Sequence, residues 1–149
     1  MKNLFKKWRK LLRENEDYWM GHRPSKFTPL HDMTTDEDGE QAIPEDFYTH
    51  PHYYANMSAT GYKESFQVIL NKRGKPNDTV VVYRSSPKDI LNTGDWITLS
   101  EEYAIQDSLY EDNPVHAYVV KVSDVWWAGD DMNEFGYWGE KVESQERIK

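Results

Sequence analysis

Two runs of β-branched residues constrain this chain more than any other feature. TVVVYR (79–84) and VHAYVVKV (115–122) are short, valine-rich and bounded by turn residues, so both read as strands. The first is apolar without alternation, which predicts a central strand covered on both faces. Yet it ends on Arg84, a permanent cation at the tip of a buried-looking strand. A second short apolar run, WITL (96–99), finishes in hydroxyls at Thr98 and Ser100. Arginine is costly to bury unless an anion meets it. Its partner is either a carboxylate of the chain itself or a phosphate arriving from outside.

The other elements follow from periodicity and punctuation. Leu4, Phe5, Trp8, Leu11 and Leu12 form a helical stripe, with Lys2, Lys6, Lys7, Arg9, Lys10 and Arg13 on much of the remaining face. Residues 1–20 therefore read as a basic amphipathic helix. Its stripe packs either on the acidic body of the same chain or on a membrane surface or partner. Residues 21–44 look irregular, broken by Pro24, Pro29 and Pro44. Tyr62, Phe66, Ile69 and Leu70 share one helical face, with Ser58 or Thr60 as cap and Gly74 as stop. SSPKDIL (85–91) suggests a short helical turn, NTGD (92–95) a chain reversal, and Ser100 the cap of a helix opening with Glu101 and Glu102. DVWW (124–127) and FGYW (135–138) suggest further strands, and residues 139–149 a flexible tail. The expected fold is α+β: a helical N-terminal half, then a twisted, mostly antiparallel sheet, forming a single domain over 21–138.

Charge and composition narrow the function classes. Residues 1–13 hold six Lys or Arg and no acid, leaving 12 bases against 26 acids in the rest, a net of −14. A body so acidic is not expected to bind nucleic acid directly, but suits a basic protein surface. Cysteine is absent, which excludes disulfides and thiolate chemistry and fits a reducing cytosol. No apolar run is long enough to span a membrane. The five histidines are scattered, and His50 and His52 around Pro51 do not by themselves make a metal site. There is no glycine-rich phosphate loop and no Gly-x-Ser-x-Gly elbow.

Arg84, Thr98, Ser100 and the acids of GDDMNEFGY (129–137), Asp130, Asp131 and Glu134, all fall at expected strand ends. If those ends converge, a guanidinium, hydroxyls and a carboxylate line a cleft edged by Tyr83, Trp96, Trp126 and Trp127. Such a cleft suits a ligand with a phosphate, a ribose and an aromatic ring. The competing reading makes Arg84 a structural ion pair with Asp95 or Glu134, and the tryptophans core.

VVVYRSSP, GDWITLSEEYA and VWWAGDDMNEFGY, in that order, resemble a family of phage and mobile-element proteins that are similar to mono-ADP-ribosyltransferases of the Arg-Ser-Glu type. PLHD (29–32) and IPEDFY (43–48) fit the same pattern, so the resemblance spans roughly residues 22–138. It implies an ADP-ribosyltransferase-like fold holding NAD, as co-substrate, between two small sheets. It further implies that Arg84 fixes NAD phosphate and ribose, that Thr98 and Ser100 brace the site, and that Glu134 supports loss of nicotinamide. Tyr83 and Trp96 would flank the cofactor, and the acceptor would be a host protein in the host cytoplasm. Two positions depart from the pattern: the first hydroxyl is Thr98 rather than serine, and Met132 stands where a second acid or glutamine is usual. The alternative is a non-catalytic acidic inhibitor of a host defence complex that occupies a basic surface.

Overall fold

The computed structural model describes residues 23–149, so the expected basic helix over 1–20 lies outside the described residues. The described chain contains strand β1 (Thr28–Pro29), helix α1 (Tyr62–Lys72), then β2 (Thr79–Ser85), β3 (Ile90–Leu91) and β4 (Asp95–Ile97). Helix α2 (Glu101–Ser108) follows, then β5 (Val115–Lys121), β6 (Val125–Trp127), β7 (Phe135–Tyr137), β8 (Val142–Glu143) and β9 (Glu146–Arg147). The strands form three sheets in the orders β1-β6-β7-β4, β2-β5-β9 and β3-β8, every pair antiparallel.

The helical N-terminal half is not what forms among the described residues, and the α+β assignment must be corrected to a mostly sheet architecture. From Arg23 to Gly61 the chain has only the edge strand β1 and two single 3-10 turns, Glu45–Tyr48 and Pro51–Tyr53. The physical reason lies in the prolines. Pro44 precedes the first turn and Pro51 opens the second, so neither can propagate a helix backwards. The aromatic residues there are buried one at a time instead. Phe47 packs edge-on against Phe66 of α1 with ring centroids 5.6 Å apart. Tyr48 is buried beside it, its OH accepting the Met33 N–H at 2.9 Å.

β2 also departs from expectation. It lies at the edge of its sheet, with β5 in the centre. Val80 and Val82 are buried while Val81 is 42% exposed, so the unbroken valine run covers one face only. Residues 85–91 form no helical turn, because Ile90–Leu91 extends to pair with Val142–Glu143. The C-terminal residues expected as a tail supply that partner, and then β9, which pairs His116 and Ala117 of β5 with Arg147 and Glu146.

Two glycines set the connections around α2. Gly94 closes the reversal before β4 at φ +84°, a conformation that strains any side chain. Gly61 precedes α1 at φ +79°, and a Cβ there would come 2.6 Å from Ser100 Oγ. Glycine therefore serves as the cap in place of Ser58 or Thr60, and α1 approaches the start of α2 closely. One continuous core runs through Leu30, Ile69, Val82, Ile97, Tyr118 and Phe135.

Candidate functional site

Among the described residues, one bridge pair joins the two larger sheets, between β2 and the end of β4. Tyr83 N–H donates to Thr98 O at 2.8 Å, and Thr98 N–H donates to Tyr83 O at 2.9 Å. Beyond that bridge β2 and β4 diverge, and α2 lies alongside. The gap is a small cleft with a cavity volume of about 40 Å3, open to solvent on one side, lined by Tyr83, Arg84 and Ser85 of β2, by Trp96, Ile97 and Thr98, by Tyr103, Ala104 and Asp107 of α2, and by Glu134.

Arg84 continues the alternation of Val80 and Val82, so it sits on the buried face of β2, opposite His116 of β5. Its Nη1 donates to Trp96 O at 2.8 Å. Its Nη2 lies 3.9 Å from Asp95 Oδ1, with both side chains about 15% exposed. Asp95 also holds its own turn, its Oδ2 accepting Asn92 N–H at 2.8 Å. Two further donors at this point, Arg84 Nε and Ser85 Oγ, are buried and have no hydrogen-bond partner. Buried donors of this kind normally have an acceptor.

Glu134 stands on the opposite wall, immediately before β7, and is 8% exposed. Its Oε2 accepts the Tyr103 OH at 3.1 Å. The loop that carries it is tied down at several points. Glu134 N–H donates to Asp131 O at 2.9 Å, and Asn133 N–H donates to Asp131 Oδ1 at 2.9 Å. Asn133 reaches across to α1: its Nδ2 donates to Thr60 O and its Oδ1 accepts from Ser65 Oγ, both at 2.7 Å. Met132 is 6% exposed and belongs to the core.

The structure thus brings Tyr83, Arg84, Trp96, Thr98 and Glu134 to one cleft, although Arg84 and Glu134 are fifty positions apart in the chain. Ser100 is not among the lining residues. It is fully buried, and its Oγ accepts the Tyr103 N–H at 3.0 Å and donates to Glu64 Oε1 of α1. Thr98 Oγ1 accepts the Ser100 N–H at 3.2 Å. Trp126 and Trp127 are elsewhere as well. Trp127 packs on Phe27 with centroids 5.7 Å apart and donates Nε1–H to Asp131 O, while Lys26 Nζ lies 4.8 Å from the Trp126 ring.

Three contributors escaped the sequence reading: Tyr103, Ser85 and Asn133. Tyr103 had a legible signal. It falls three residues after the Ser100 cap and four before Asp107, so Tyr103 and Asp107 share one face of α2.

Electrostatics at the cleft favour neutral phenols. Burial, then the charges of Glu134 and Asp107, holds the Tyr103 phenol far above its ordinary range. Burial raises Tyr83 too, helped by Glu101 and Glu64. Among the described residues no group of three or more His, Cys, Asp or Glu is placed to hold a metal ion. No described helix is long and apolar enough to cross a membrane. Compared with known proteins, the chain matches no family model, no curated protein and no solved structure.

Proposed function

We propose that the chain is a NAD-dependent mono-ADP-ribosyltransferase that modifies a host protein. The observation that carries this reading is the convergence of Arg84 and Glu134 on one cleft with a solvent-open mouth. The stranded donors Arg84 Nε and Ser85 Oγ support it, because a diphosphate would supply the acceptors they lack. In this reading the Arg84 guanidinium holds the diphosphate, and Tyr83 or Trp96 offers a ring face to the nucleotide. Thr98 fixes the two walls through its backbone pairing with Tyr83. The Glu134 carboxylate stabilises the positive charge that grows on the ribose carbon as its bond to the nicotinamide nitrogen breaks. The bonding pair leaves on nicotinamide, and an acceptor nucleophile forms the new bond at that carbon and releases its proton.

The test is mass spectrometry of host proteins incubated with the chain and NAD. The expected result is an ADP-ribose adduct together with free nicotinamide, both reduced on the order of 10²–10³-fold by Glu134→Gln. A chain that acts in cells while neither binding nor consuming NAD overturns the reading.

One observation favours a second reading, the non-catalytic acidic inhibitor. Arg84 is already engaged by Trp96 O and Asp95, as a structural cation would be. A binder acting through its acidic body forms a complex whose association slows as salt rises, and Glu134→Gln leaves that activity intact.

A further inference from the structure

We infer that Tyr103 is a positioning residue for Glu134, and that it passes the influence of the buried Ser100 to the cleft. The inference rests on the transferase reading of the site and adds to it a residue that the Arg-Ser-Glu pattern does not contain. Ser100 cannot touch a ligand in the cleft, since it is fully buried behind the lining residues. It does anchor the first turn of α2: Ser100 Oγ accepts the Tyr103 N–H at 3.0 Å. From the same residue the phenol OH reaches Glu134 Oε2 at 3.1 Å. Ser100, Tyr103 and Glu134 are therefore joined in series by two hydrogen bonds, one at each end of Tyr103.

The arrangement has a direct consequence for the carboxylate. Glu134 carries its charge on a short loop, and Asn133 fastens only the backbone next to it. The tyrosine OH donates to Oε2 from α2, and as a donor it favours the ionised carboxylate. Several other groups face this position. Arg84 of β2 and Asp107 of α2 line the same cleft, and Asp107 and Asp131 act together with Glu134 on the Tyr103 phenol. Removing the OH leaves the acids in place and takes away a donor, so Glu134 becomes harder to ionise and less well aimed.

Steady-state release of nicotinamide from NAD, measured from pH 4 to 9 for the wild type and Tyr103→Phe, tests this. The expected result is a fall in kcat of roughly 10–100-fold with KM for NAD within about twofold, and an acid limb displaced upward by ~1 pH unit. In the Glu134→Gln background, Tyr103→Phe should then cost nothing further. A 3-fluorotyrosine at position 103 keeps ring and shape while strengthening the donor, and should move the acid limb downward. It serves in place of the phenylalanine variant if that variant does not fold. Unchanged kcat and acid limb in a wild type that does release nicotinamide overturn this inference alone. Loss of activity that tracks loss of folded protein, with the acid limb unmoved, also overturns it. A wild type with no turnover of NAD overturns the transferase reading, and this inference with it.

Discussion

At Tyr118 the phenol is fully buried on β5, opposite Val82, and its OH has no hydrogen-bond partner. A buried hydroxyl without a partner costs stability that an apolar isostere does not. Tyr118→Phe should therefore leave stability unchanged or raise it by about 1 kcal/mol in urea unfolding, where most core substitutions lower it. Burial pushes the Tyr118 phenol up to about 12, with the Arg84 charge pulling the other way. Tyr137 is likewise pushed up to about 12 by burial. The unfolded chain ionises these phenols near pH ~10. Their contribution to stability is thus complete below that point and is lost as pH rises toward 12. Thermal midpoints measured between pH 9 and 12 should fall across this window, and Tyr118→Phe should flatten the fall. A midpoint insensitive to alkali would contradict the burial of both rings.

Among the elements, the C-terminal strands do more than their polar sequence suggests. Gln145 N–H donates to Ala117 O at 2.8 Å, and Ile148 N–H donates to Val115 O at 2.7 Å. Lys149 Nζ donates to Ser108 Oγ at 2.8 Å, tying the chain end to α2. Removing residues 144–149 uncovers the edge of β5 and frees the C-terminal turn of α2. The expected loss is roughly 5–10 °C in the calorimetric midpoint, with increased self-association through the uncovered edge. A midpoint within about 1 °C of the intact chain would mean that β9 and the chain end do not contribute to the stability of the fold.

For the molecule as a whole, what could be read from sequence divides along physical lines. β2 and β5 were legible because their β-branched runs carry a local signal, and the Ser100 cap because its residue type and the following acids announce it. β3 and β8 carry no such signal. Each is two residues long and exists only because the other, some fifty positions away, lies beside it. Phe47 and Tyr48 gave no local signal for a related reason: they are buried through tertiary packing, with no 3.6-residue period to show it. At the site, Tyr83, Arg84, Trp96, Thr98 and Glu134 were placed on one cleft by the same strand ends that suggested them. Trp126 and Trp127 of β6 do not join them: Trp127 packs on Phe27 and bonds to Asp131 O, and Trp126 lies under Lys26. Tyr103 was missed because a helix-internal tyrosine reads as core until the partner of its OH is seen.

The central claim is that Arg84 and Glu134 serve one dinucleotide. Calorimetric titration of NAD into the wild type, Arg84→Ala and Glu134→Gln tests it most directly. The account predicts binding by the wild type, weakening of roughly 10–100-fold in Arg84→Ala, and near-normal binding in Glu134→Gln with nicotinamide release lost. Absence of NAD binding to the folded wild type, or equal affinity in Arg84→Ala, would contradict it.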